Sequence, residues 1–193
     1  MPADDLQQTD EELAHLARTQ KEFFGYLVER YAVKLAAYAR RLGVQTTEDR
    51  EDVVQETFLK AYENLNDFDT DLSFSSWIYR IAHNQAMTFF RKRRARPEGH
   101  RALFDEDDLD RLAGETDVFM DSAMAHDAAR VRTILTELPQ QEYEIVVLRF
   151  FEHKSYDEIS DILSLPPGTV ANRLSRAKAR LKRIMTSNGF AYA

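Results

Sequence analysis

Between Pro2 and Pro97 the chain has no proline and only two glycines, Gly25 and Gly43. Over the same stretch apolar residues return at every third or fourth position. A segment with this period and almost no breakers folds as helices, because half-buried strands alternate with a period of two. One helix is predicted from 20 to 42, with Phe23, Phe24, Leu27, Tyr31, Leu35 and Tyr38 inward and Gly43 ending it. A second starts after Thr46-Thr47. Its apolar stripe is Val54, Phe58, Ala61, Tyr62 and Leu65, and a separate face carries Asp52, Gln55, Glu56 and Glu63. By spacing alone this is an ordinary amphipathic helix with a solvated acidic face.

Residues 66–73 are rich in Asp, Asn, Thr and Ser and break the pattern. A third helix follows from Phe74 to the basic cluster Arg91, Lys92, Arg93, Arg94 and Arg96. Ile78, Ala82 and Phe89 are expected to face its core, whereas Phe74, Trp77, Tyr79 and Phe90 cannot all do so together. Aromatics beside cations form surfaces that stack unpaired bases and neutralise phosphates. They are equally the composition of a core helix whose basic end is favoured by its macrodipole. Composition does not choose between the two.

The C-terminal part carries a sharper signal. Leu138-Pro139 opens a helix whose apolar content is Ile145, Val146, Leu148, Phe150 and Phe151. Ser155-Tyr156-Asp157-Glu158 is a capping box in front of Ile159, Ile162 and Leu163. Leu165-Pro166-Pro167-Gly168 reads as a turn, and Thr169 opens the last helix. The result is helix, short turn, helix, with the second helix placed as a recognition helix. Its apolar stripe is Val170, Leu174, Ala177, Leu181 and Ile184. Arg173, Arg176, Arg180 and Arg183 line one flank, with Lys178 and Lys182 on the other side. From Gly168 onward there are six basic residues and no acid. A solvated helix normally mixes signs, so this side points to a phosphate partner. Ala171, Asn172 and Ser175 are short enough to let the helix N-terminus approach base edges.

Charge separates these two parts. The formal net charge is −7, which by itself argues against a nucleic-acid binder. Residues 1–95 hold 13 basic and 16 acidic residues, residues 96–127 hold 3 and 10, and residues 128–193 hold 10 and 7. The middle segment accounts for the whole excess. With Pro97, Gly99 and the block Asp105-Glu106-Asp107-Asp108-Leu109-Asp110, it reads as a self-repelling linker between two domains with basic ends. A short acidic surface helix is the alternative, with Leu109, Leu112 and Phe119 docking.

Several classes are excluded or left unsupported. There are no cysteines, so disulfides, thiol nucleophiles and Cys-ligated zinc are ruled out, which fits a cytoplasmic setting. No apolar run approaches the roughly 18 residues of a membrane span, so no membrane insertion is expected. The first ten residues are too polar for a secretory signal. His15, His83, His100, His126 and His153 are scattered, and no HExxH, P-loop or nucleophile constellation occurs. Neither catalysis nor a cofactor is expected.

Three motifs, in order, carry a resemblance. Asp52-Val53-Val54-Gln55-Glu56-Thr57-Phe58-Leu59-Lys60-Ala61-Tyr62 resembles the region 2 helix of bacterial sigma-70-type RNA polymerase sigma factors. Ser73-Phe74-Ser75-Ser76-Trp77-Ile78-Tyr79-Arg80-Ile81-Ala82-His83-Asn84 resembles the family's segment that melts and reads the minus-10 element. Leu138-Pro139, Leu148-Arg149, Ser155 to Ile159 and Gly168-Thr169-Val170 resemble region 4, which binds the minus-35 element. The likeness spans about Glu22 to Met185 and is closest to the extracytoplasmic-function class, which keeps only regions 2 and 4.

The resemblance implies an all-α fold of two small helical domains joined by an acidic linker. Residues 1–19 would be an N-terminal extension, 20–95 region 2, 96–127 the linker, 128–186 region 4 and 187–193 a tail. The implied function is a transcription initiation factor that binds core RNA polymerase through its β′ and β subunits, directs it to promoter DNA and helps melt the minus-10 element. An anti-sigma factor is the further partner implied. Asp52, Val53, Gln55, Glu56 and Leu59 would bind the core. Phe68, Phe74, Trp77, Tyr79, Arg80, Asn84, Arg91, Arg93 and Arg94 would meet the minus-10 element, with Trp77 as a wedge and the loop 67–73 as the pocket for an extruded base. Thr169, Ala171, Asn172, Arg173, Ser175, Arg176 and Arg180 would meet the minus-35 element. The linker would thread the polymerase's RNA path. The chain departs from the family pattern at Asp69-Thr70, where Arg-Gly is usual, at Ala171, where a basic residue is usual, and at Ser175, where a larger one is common. A rival reading is a sigma-like decoy that binds an anti-sigma factor without initiating.

The linker's 32 residues span about 31 Å as a coil and at most roughly 106–115 Å extended. The two promoter elements lie about 85 Å apart on duplex DNA. The sequence therefore predicts domains packed together when free and an extended chain on polymerase.

Overall fold

The computed structural model describes residues 8–95 and 134–187. Every regular element among them is helical: α1 Asp10–Ala17, α2 Glu22–Arg41, α3 Thr47–Glu63, α4 Phe74–Arg94, α5 Gln140–Val146, α6 Tyr156–Leu163 and α7 Pro167–Ser187. They fall into two compact units, the first holding α1 to α4 and the second built around α5 and α7. The acidic linker, with its acidic-helix alternative and its predicted extension, lies outside the described residues, as does the C-terminal tail.

Local chemistry sets the helix ends. Thr46 Oγ1 accepts from the Asp49 N–H at 3.0 Å and starts α3; Ser73 Oγ accepts from the Ser76 N–H at 3.3 Å and starts α4. Gly43, at φ 104°, ends α2 as expected. The N–H of Val44 reaches the Ala39 carbonyl and that of Gly43 the Arg40 carbonyl, a pair that needs the left-handed turn glycine adopts freely. The capping box is formed: Glu158 N–H donates to Ser155 Oγ at 3.1 Å, and Ser155 N–H donates to Glu158 Oε2 at 2.8 Å. Burial raises the Glu158 pKa, but these bonds and the Lys154 charge outweigh it and leave the carboxyl below its ordinary value.

In the first unit Leu27, Tyr31, Leu35 and Tyr38 of α2 pack inward as predicted, while Phe23 is only half-buried. Three further details differ from the sequence reading. On α3 the buried stripe is Val53, Thr57, Phe58 and Ala61, with Val54 half-buried and Tyr62 exposed. Thr57 is admitted because its hydroxyl donates to the Val53 carbonyl at 2.7 Å. On α4, Phe74, Tyr79 and Phe90 are all buried and Phe89 is not. The reason is that α4 touches α1, α2 and α3, so its buried arc is wider than one partner would allow. Finally, residues 10–17 form a helix within this unit. α1 carries a capping box between Thr9 and Glu12 and buries Leu13, Ala14 and Ala17 against α2 and α4.

In the second unit α5, with Ile145 and Val146 buried, packs against α7, whose buried face is Val170, Leu174 and Ala177, and Val147 and Leu148 just beyond α5 are buried as well. α5 runs into a π-helical turn, Val147–Phe151, which turns Phe150 and Phe151 out to solvent rather than into the core. The last helix begins at Pro167, two residues earlier than read from sequence. Proline suits a first helical position because it lacks the N–H that would go unpaired there. The turn before it places Ser164 at φ 53° and is closed by the Leu165 N–H on the Ser160 carbonyl at 3.0 Å.

Candidate promoter and polymerase interfaces

The acidic face of α3 is set by its register. Val53 and Thr57 point inward, so Asp52, Gln55, Glu56 and Leu59 point out, Leu59 with 52% of its surface exposed. Val53 is 5% exposed. It belongs to the core and offers no contact surface, a correction to its expected role. Beside the exposed face, α2 and α3 bound an apolar groove of about 880 Å³ that includes Val28, Val33, Val54, Leu59 and Tyr62. The surface as a whole is an acidic rim along an apolar floor. Lys60 lies on the same helix and donates to Glu63 at 2.7 Å, which raises its pKa.

The loop before α4 is rooted by rings. Phe68 meets Phe74 edge-on at 5.5 Å and lies 4.9 Å from Trp77; Phe74 in turn contacts Tyr31. Phe68 and Phe74 are buried in this cluster and Tyr79 is buried against Tyr38, so of the four aromatics expected to meet the minus-10 element only Trp77 keeps exposed surface. The first three are corrected from contact residues to supports, because their rings are packed inside the unit and leave almost no surface to a partner. The loop's departure at Asp69 has a local function, since its Oδ1 accepts from the Asp71 N–H at 3.0 Å and shapes the turn. Arg80 and Asn84 lie on the surface of α4, and Arg91, Lys92, Arg93 and Arg94 are all exposed at its end. His83, between them in sequence, is buried, its Nδ1 3.1 Å from the Tyr38 hydroxyl. Burial pushes its pKa down to about 4.

On α7, Ala171, Asn172, Ser175 and Arg176 are exposed, and Thr169 and Arg173 half-buried. Arg180 is committed inside the unit. Its Nε lies 3.2 Å from Oε2 of Glu142, an α5 carboxylate with little access to water. Burial holds the Glu144 carboxyl above its ordinary value, against a hydrogen bond donated by Gln140 and the charge of Arg173. The basic flank thus splits: Arg180 is tied to Glu142, Arg173 is half-buried with its charge acting on Glu144, and Arg176 and Arg183 are exposed.

Sequence reasoning missed two further participants. Arg18, at the end of α1, donates from Nε to the Leu65 carbonyl at 3.3 Å and from Nη2 to the Phe68 carbonyl. Glu11 accepts from the Phe74 N–H at 2.9 Å. Neither contact leaves a local signature.

Known proteins share this arrangement. The family model for sigma-70 region 2 matches residues 27–96, and that for sigma-70 region 4 matches residues 128–181. The RNA polymerase sigma factor CnrH of Cupriavidus metallidurans is 34% identical over 91% of this chain and 93% of its own length. The ECF RNA polymerase sigma-E factor of Haemophilus influenzae is 30% identical over 91% of this chain and 95% of its own. The solved structure of CnrH in complex with the cytosolic domain of CnrY superposes with a TM-score of 0.67 at 30% identity, covering 93% of this chain and 99% of that one. Two helical units in the order and spacing of regions 2 and 4, matched nearly end to end by such relatives, mean that the chain belongs to the sigma-70 family of RNA polymerase sigma factors, in its extracytoplasmic-function class.

Proposed function

We propose a division of labour among the surfaces of this initiation factor. As a sigma factor the chain directs core RNA polymerase to promoters. The exposed acids of α3, with Leu59 and the apolar groove behind it, dock a basic helical element of the polymerase. Asn84, Trp77 and Arg80 meet the minus-10 strand, and Arg91 to Arg94 hold its phosphates. Asn172, Ser175 and Arg176 approach the minus-35 element, with Thr169, Ala171 and Arg173 beside them. Region 2 then extends from α1 through residue 95 and region 4 from 128 to 186.

The observation that carries this reading is α4 itself. One end is fixed in a buried aromatic cluster and the other ends in four consecutive exposed cations. A helix built so can hold a strand's bases near a rigid platform and its phosphates at a charged end. We further propose that the factor is non-enzymatic, with chemistry left to the polymerase, and that an anti-sigma protein covers the docking face, as CnrY accompanies CnrH. No helix among the described residues is long and apolar enough to cross a membrane, and we place the factor in the cytoplasm with the DNA it acts on.

Run-off transcription with bacterial core polymerase, on a template pool randomised over both promoter elements, tests the proposal. Transcripts enriched for a defined pair of elements are expected. Tight core binding with no transcript from any template would make the chain a decoy instead.

A further inference from the structure

The family model for region 2 begins at residue 27, yet α1 holds the loop before α4 at both ends. We propose that Arg18 is a positioning residue for minus-10 recognition, clamping the 64–73 loop in the shape in which it meets DNA, with Glu11 fixing the loop's exit into α4.

The loop has few internal ties. Beyond Asp69, they are the Asp67 N–H on the Asn64 carbonyl, the Phe68 N–H on the Leu65 carbonyl and the Leu72 N–H on the Asp69 carbonyl. Phe68 is buried, so its carbonyl needs a partner away from water, and Arg18 supplies it. One planar guanidinium spans the Leu65 and Phe68 carbonyls, two points three residues apart on the same turn. A fork of fixed geometry holds both, and bonds from a cation are stronger than neutral ones. The position also suits a cation, since Arg18 caps the C-terminal end of α1, where helix carbonyls gather partial negative charge.

At the other end, Glu11 accepts from the first N–H of α4, so the helix that carries Trp77 and Asn84 starts from an anchor on α1. α1 is in turn bound to α2: Asp10 pairs with Arg30 at 2.7 Å and accepts from the Tyr31 hydroxyl. Tyr31 packs on Phe74, which closes the ring of contacts around the loop. Between α1 and Thr70 lies a cleft of about 500 Å³ lined by Gln8, Glu11, Glu12, His15 and Leu16. α1 therefore forms one wall of the space beside the loop.

The inference rests on the proposed role of the loop in minus-10 reading, and the test separates the two. Full-length chain and core polymerase would be given the randomised template pool, and the enriched minus-10 preference compared for the unaltered chain, Arg18→Ala and Arg18→Lys. Core affinity and thermal unfolding would be measured in parallel. Arg18→Ala is expected to keep core affinity within about twofold while flattening minus-10 preference about tenfold, the size ordinarily seen when a charged hydrogen bond is lost. Arg18→Lys, a single point donor, is expected to recover part of it. Minus-35 preference should not move. Unchanged minus-10 preference in Arg18→Ala, or a loss of core binding in step with unfolding, would overturn the positioning role. If Arg18→Ala does not fold, Arg18→Lys decides: a preference equal to that of the unaltered chain overturns it. Failure of the unaltered chain to enrich any minus-10 sequence would overturn the proposed function itself.

Discussion

Arg180 and Arg176 lie one helical turn apart on α7, yet the structure gives them different work. Glu142 keeps only 10% of its side-chain surface exposed, and Arg180, 38% exposed, is the cation that faces it. Removing one partner of a fully buried pair costs about 3–5 kcal/mol. Water reaching the vacated side lowers that here to about 1–2 kcal/mol. In an opening equilibrium this is a factor of roughly 5–30. Leu174 and Ala177 are buried on the inner face of the same helix, so their amides exchange with solvent only when it opens. Arg180→Ala should therefore speed their hydrogen exchange in the intact chain roughly 5- to 30-fold. Arg176→Ala should leave it within about twofold, because the Arg176 side chain faces solvent. Adding Glu142→Ala to Arg180→Ala should cost less than the two single changes together, by at least about 0.5 kcal/mol. Exchange unaltered by Arg180→Ala, or strict additivity, would refute the argument and return Arg180 to the DNA-facing set.

Arg176→Ala should weaken minus-35 DNA binding and reduce the slope of log affinity against log salt by about one, read by fluorescence anisotropy across a salt series. Asn84→Ala should leave core binding intact while lowering minus-10-dependent transcription, since Asn84 is on the surface and supports nothing in the core. His83 gives a pH signature. Its folded pKa of about 4 lies below that of the unfolded chain, so the unfolded chain protonates first as pH falls. Stability is full above about pH 6.5 and is lost toward pH 4, at up to about 1.4 kcal/mol per pH unit for one group. Urea unfolding of His83→Gln should show a shallower acid dependence than the unaltered chain.

Helix ends are legible in this sequence because their causes are local. Thr46, Ser73, Gly43 and the Ser155–Glu158 box each act within a few residues and occur where the pattern changes. The family, too, is written in contiguous motifs. The inward face of α4 is not legible, since a periodicity argument assumes one packing partner and this helix has three. The same limit hides the difference between Arg176 and Arg180, which depends on an acid 38 residues away. Arg18 reaches partners 47 and 50 residues distant, and nothing in the composition around it announces them.

α4 also acts as a gauge. Its 21 residues, without proline or glycine, make a rod about 30 Å long, equal to roughly nine base-pair steps of duplex. The separation between the ring-anchored end and the cationic end cannot be adjusted by loop changes, only by altering the helix. One inserted residue would lengthen the rod by about 1.5 Å and swing everything beyond it by about 100°. On the proposed function, the reach between the minus-10 base contacts and the phosphate contacts is thus fixed by the length of a single helix, as the span of a caliper is fixed by its beam.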